Sequence, residues 1–131
     1  MESSKNRKVI LDTSILMAIF ENKFDIQDEI LREVGLHSIV VPESVLIELH
    51  KLAELGRGKK KKHSKAALDY LKRNKFEIIH SENKRNVDDD IVLLAKRLNA
   101  MVATTDKQLM ERLKGECIGI LRLKKRRLEL L

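Results

Sequence analysis

The sequence predicts an α/β protein of three layers, a central parallel sheet of about five strands with helices packed on both faces. Three observations carry that expectation. Short runs rich in Val and Ile alternate along the chain with longer amphipathic stretches, the order expected of βαβ units. The stretch 88–99 sets Ile91, Leu94, Ala95 and Leu98 at i, i+3, i+4 and i+7, one apolar helix face. No internal repeat interrupts this alternation.

Val9, Ile10 and Leu11 mark a first strand over 8–12, followed by helices over 13–20 and 26–34. Ile39, Val40 and Val41 mark a second strand over 37–41. Pro42 suits the first turn of a helix that runs to about 55, where Gly56 ends it. A helix over 64–74 precedes a strand over 76–80, built on Phe76, Ile78 and Ile79. The helix over 88–99 leads into a strand at 101–104, a helix at 106–114 and a last strand at 117–121. Cys117, the only cysteine, cannot form an internal disulfide and is expected to be a small buried residue of that strand.

At 131 residues the chain has the size of one domain, expected to span 1–131. Aromatic residues make up 3% and Trp is absent, so the core must be aliphatic. The longest apolar run, "ILMAIF", is far short of the roughly 20 residues that cross a bilayer, and the N-terminus lacks the apolar centre of a signal peptide. A cytoplasmic protein with no membrane partner is expected.

The net charge of +7 sits in two places. "RGKKKKH" at 57–63 reads as a basic loop and "RLKKRR" at 122–127 as part of a basic C-terminal tail over 122–131; each holds five Lys or Arg and no acid. The remaining 17 basic residues face 20 acids, so the rest of the body is slightly negative. Lys59, Lys60, Lys61, Lys62, Lys124, Lys125, Arg126 and Arg127 are therefore candidate phosphate contacts for a polyanion.

Acids gather where a parallel sheet binds ligands, beyond the carboxyl ends of its strands. Asp12 ends the first strand, Asp106 follows "MVATT", and Asp88 opens the helix of Ile91. Glu48 lies at the edge of the apolar stripe formed by Val45, Leu49 and Leu52. Each has an ordinary structural explanation as a cap, turn or flank residue. Their convergence, with no Cys or His beside them, favours a hard divalent cation, Mg²⁺ or Mn²⁺, held by oxygen.

"DTS" at 12–14, "VVPESVLIELHKL" at 40–52 and "VDDDIVLLAKRLNAMVATTDKQL" at 87–109 resemble the PIN domain, a family of metal-dependent ribonucleases that includes VapC-type toxins and ribosomal-RNA-processing nucleases. The resemblance runs from Val9 to the "LRLKKRRL" segment. It implies a Rossmann-type sheet, with Asp12, Glu48, Asp88 and Asp106 as the four catalytic, metal-binding acids around one or two ions. Asp89 matches a frequent second acid, and Asp90 has no counterpart. Thr13, Ser14, Thr104 and Thr105 are secondary candidates, although the family often has T-N-D where this chain has Thr104, Thr105 and Asp106. The implied activity is an endoribonuclease that cleaves phosphodiesters with an activated water. An antitoxin protein and a homodimer through 13–34 are further implied partners. A non-catalytic RNA-binding or partner-binding module on the same fold stays open. A phosphoacceptor receiver would need an aspartate ending a later strand, and "SIVVP" and "FEIIH" have none. A dehalogenase-like phosphatase would need Asp at position 14, which is Ser.

Overall fold

Val9, Ile10 and Leu11 are fully buried in succession. Neighbouring residues of a strand point to opposite sides, so β1 (Arg7–Leu11) is covered on both faces. The computed structural model describes residues 7–131; residues 1–6 of the expected 1–131 domain lie outside the described residues. After β1 come α1 (Thr13–Asn22), α2 (Ile26–Val34), β2 (His37–Pro42), α3 (Glu43–Leu55), α4 (Lys59–Asn74) and β3 (Glu77–Ile79). The chain continues through α5 (Val87–Leu98), β4 (Met101–Thr104), α6 (Lys107–Gly115), β5 (Ile120–Lys124) and β6 (Arg127–Leu130).

The strands order as β3-β2-β1-β4-β5-β6, and every pair is parallel except β5 with β6. From β1 the chain builds outward to β2 and β3, and then returns to place β4, β5 and β6 on the other side. The order thus reverses between β1 and β4, where such sheets open a crevice at their carboxyl edge. The core is aliphatic, as expected. Phe20, Tyr70 and Phe76 form a separate edge-to-face row, with ring centroids 6.0 and 5.7 Å apart, that joins α1 to α4. Among the described residues no helix is long and apolar enough to cross a membrane.

Three expectations are corrected. The sheet has six strands rather than about five, because the basic segment at 122–131 is a hairpin and not a tail. Leu128 is buried, and the outward backbone of β6 is met by α2: Leu128 N–H donates to Glu29 at 2.9 Å, Leu130 N–H to Glu33 at 2.8 Å, and Arg32 donates to the Leu128 carbonyl at 3.0 Å. An edge strand whose polar groups are satisfied by side chains needs no further strand.

The basic segment at 57–63 is a loop only as far as Gly58, which has φ 59°; residues 59–62 form the first turn of α4. Lysines are disfavoured at a helix N-terminus. Burial of Ser64, Ala67 and Leu71 on the opposite face of this long helix outweighs that cost. Gly56 ends α3 as expected, since a Cβ there would collide with the Leu52 carbonyl.

Cys117 is exposed, with φ 59°, and is not part of a strand. Its N–H and that of Ile118 donate to the carbonyls of Lys114 and Leu113, closing the end of α6, so β5 begins only at Ile120.

Candidate functional site

Asp12 is the residue between the end of β1 and the start of α1, and Asp106 is its counterpart between β4 and α6. Because β1 and β4 are neighbours in register, with Leu11 opposite Ala103, the two carboxylates share the crevice where the strand order reverses. Both cap helices. Asp12 Oδ1 accepts from Ile15 N–H at 2.9 Å, and Asp106 Oδ1 accepts from Gln108 and Leu109 N–H at 2.9 and 3.1 Å. Capping therefore does not compete with a ligand role at Asp106, whose Oδ2 has no hydrogen-bond partner among the described residues.

Asp12 is 4% exposed and more tightly held. Thr104 Oγ1 donates to its Oδ2 at 2.6 Å, and the Ser14 hydroxyl lies 2.7 and 2.9 Å from its two oxygens. Ser14 in turn accepts from Thr105 N–H at 3.0 Å, and Thr104 Oγ1 accepts from Asp106 N–H at 3.0 Å. Ser14, Thr104 and Thr105 thus join the two acids in one network. Burial pushes the Asp12 carboxyl up to about 6; the bonds from Thr104, Ile15 and Ser14 oppose the rise and the Asp106 charge adds to it. The Thr13 hydroxyl, next along the chain, is buried with no hydrogen-bond partner among the described residues.

Asp88 and Glu48 come from α5 and α3. Burial raises the Asp88 carboxyl above the usual range; the Asp106, Glu48 and Asp89 charges push it further and Arg112 pulls it back. The Asp106 charge thus acts on both Asp12 and Asp88, and the Glu48 charge acts on Asp88. None of the four makes an ion pair among the described residues, whereas Asp89 is paired with Arg112 at 2.7 Å. Asp88 does not cap α5: Asn86 does, by accepting from Asp89 N–H at 2.9 Å, which leaves Asp88 free in the first turn.

The donor set suits a hard cation, since it is all oxygen and none of its acids makes an ion pair among the described residues. Among the described residues no three acid, His or Cys side chains are already gathered into a cage.

The hairpin places Lys124, Lys125, Arg126 and Arg127 at the carboxyl end of β5, the sheet edge that also carries Asp12 and Asp106. Residues 59–62 have no hydrogen bond or ion pair to the acids; the α4 helix that carries them packs on α1 and α3. A cavity of about 870 Å³ beside Arg7, Lys8 and Asn99 opens at the opposite, amino edge of the sheet. It contains none of these acids.

Sequence reasoning missed Asp90. It is fully buried, and accepts from Ser44 Oγ at 2.6 Å and from the Glu82 and Asn83 N–H groups at 2.6 and 2.8 Å. It ties the start of α5 to the loop before it and to the start of α3, the two helices that carry Asp88 and Glu48. Its signal was periodicity: Asp90 stands four residues before Leu94, on the apolar stripe.

Residues 9–126 match the family model described as PIN like domain. The chain is 32% identical over 126 residues to Ribonuclease VapC9 of Archaeoglobus fulgidus, covering 95% of this chain and 90% of that relative. In fold it is similar to the PIN domain endonuclease Utp24, with a TM-score of 0.80 at 24% identity over 94% of this chain and 90% of that one. It is also similar to VapBC-1 from nontypeable Haemophilus influenzae, with a TM-score of 0.59 at 19% identity over 82% of this chain and 93% of that one. These two likenesses bear on the fold alone.

Proposed function

We propose, from the premise that this chain belongs to the PIN like domain family, that it is a metal-dependent endoribonuclease with Asp12, Glu48, Asp88 and Asp106 as its catalytic acids. One observation carries the reading. Asp12 and Asp106 stand just beyond the carboxyl ends of the neighbouring strands β1 and β4, where the strand order reverses, joined through the Thr104 hydroxyl, and neither makes an ion pair among the described residues.

Asp12, Asp88 and Asp106 would hold a divalent ion, Mg²⁺ or Mn²⁺, with Glu48 binding directly or through water. When bound, the ion supplies a Lewis acid and a counter-charge for the scissile phosphate and the attacking water. Ser14 and Thr104 fix the plane of the Asp12 carboxylate through their hydroxyls, so that its geometry is set before substrate arrives. Asp106 keeps one oxygen on the amides of α6 and offers the other. Arg112 holds Asp89 aside and tempers the charge around Asp88. Lys124, Lys125, Arg126 and Arg127 offset the repulsion between the acids and an RNA backbone.

The role is either that of a VapC-type toxin restrained by an antitoxin or that of an RNA-processing nuclease, acting in the cytoplasm as one domain over 1–131. Leu31 in α2 is 50% exposed, which supports a homodimer through 13–34. A second reading, a non-catalytic RNA-binding or partner-binding module, draws on the hydrogen bonds that already occupy both Asp12 oxygens.

The deciding assay is cleavage of structured RNA with Mg²⁺, with Mn²⁺ and with chelator, comparing the wild type with Asp12→Asn and Asp106→Asn. Metal-dependent cleavage lost in both variants is expected. Metal-independent activity, or full activity in both variants, overturns the mechanism, and binding without cleavage supports the second reading.

A further inference from the structure

Beside the acids, a groove of about 440 Å³ runs between α6 and the β5–β6 hairpin, within the size range of about 300–1,000 Å³ common to small-ligand sites. Thr105, the residue before Asp106, lines its near end. Its floor is apolar, with Met110 and Leu123. Its rim carries Lys107 and Lys114 on the helix side and Arg122 and Lys124 on the strand side, against one acid, Glu111. Lys107 and Lys124 make no ion pair among the described residues.

We infer that this groove seats single-stranded RNA flanking the scissile phosphate, with an unstacked base on Met110 and Leu123 and the backbone between Lys107, Lys114 and Lys124. The inference rests on the nuclease reading and names the path its substrate takes. An apolar floor between two basic rims fits a strand that alternates a flat base with a charged phosphate. A duplex keeps its bases inside and leaves such a floor empty. The strand wall is prebuilt: Glu129 holds Arg122 across β5 and β6 at 2.8 Å, and Glu29 and Glu33 anchor β6 to α2. Little ordering is then required when RNA binds.

The test is fluorescence anisotropy of a labelled oligouridine on the full chain in chelator, so that binding is read without cleavage. Lys107→Gln/Lys114→Gln removes two exposed charges from the groove. Lys72→Gln/Lys75→Gln removes two from the β3 side of the sheet. The groove variant should lose about tenfold in affinity, and its log–log salt slope should fall by about 1.4, two contacts at roughly 0.7 each on a single strand. The β3-side variant should keep the wild-type slope. Photo-crosslinks from 4-thiouridine should fall within 105–124. Equal losses in both variants, an unchanged slope in the groove variant, or displacement of the probe from the groove by an acidic peptide but not by unlabelled oligouridine would overturn the inference. Wild type that binds but never cuts with Mg²⁺ or Mn²⁺ defeats the nuclease reading and leaves the groove standing. Wild type that cuts while the groove variant binds as before does the reverse.

Discussion

Thr104 donates a hydrogen bond from its hydroxyl to Asp12 Oδ2 at 2.6 Å from the next strand, 92 residues along the chain. The same Thr104 oxygen accepts from the Asp106 amide at 3.0 Å, so one side chain sets two of the four acids. Thr104→Val should therefore remove most metal-dependent RNA cleavage and cost about 1–3 kcal/mol of stability, the usual range for a buried polar group left unpaired. Thr104→Ser should restore both. Urea unfolding and cleavage rates on the three proteins check this, and a fully active valine variant would contradict it.

Asp12 makes the metal-free protein less stable in a pH-dependent way. Its carboxyl titrates near 3.8 when unfolded and at about 6 in the fold. Between those values the folded state binds more protons, so stability falls as pH rises through this window and stays low above it. The loss is about 3 kcal/mol, since each tenfold change in proton affinity is worth roughly 1.4 kcal/mol. Asp12→Asn should thus be more stable than wild type in chelator at pH 7.5, with the gap closing by pH 4, while losing cleavage. Melting curves at the two pH values measure it; a variant less stable at pH 7.5 would refute the assignment.

Asp90 should behave in the opposite sense. Asp90→Ala strands the Glu82 and Asn83 amides and the Ser44 hydroxyl, and should cost more than about 3 kcal/mol at 1–3 kcal/mol for each group left unpaired. Ser44→Ala removes only one of those bonds and should cost about 1 kcal/mol. Chemical denaturation of both variants separates an architectural carboxylate from a dispensable one.

The α4 lysines give a fourth prediction. Replacing residues 59–62 with Gln should weaken RNA binding and flatten its salt dependence without changing the metal concentration that half-saturates a thermal shift. It should also stabilise α4 slightly, since four cations leave a helix N-terminus. An unchanged salt slope would mean that the run is only a solvated helix end.

What the sequence revealed follows the strength of local signals. The α5 helix was legible because Ile91, Leu94, Ala95 and Leu98 repeat on one face, and β1 because Val9, Ile10 and Leu11 have no polar interruption. The second strand of the hairpin was hidden because Leu128 is its one buried residue among charges, and its partner, α2, lies about a hundred residues away. The start of α4 was hidden because its lysines contradict the preference of helix termini, and tertiary packing decided the matter. At the candidate site Asp12 and Asp106 stood out by their position after predicted strands, Asp88 by opening a predicted helix and Glu48 by lying beside an apolar helix stripe. Asp90 was lost because three consecutive aspartates look alike until the apolar stripe is followed through them.

The pairing of β1 with β4 also governs when the site can exist. Asp12 emerges early in synthesis, yet Thr104 and Asp106 follow some ninety residues later, and contacts so distant in sequence cannot form on a partial chain. A polypeptide still held by the ribosome before residue 106 is exposed thus has an incomplete crevice, and before β6 is exposed the groove lacks one wall. The acid pair and the groove beside it can therefore assemble only once β4, β5 and β6 have all emerged.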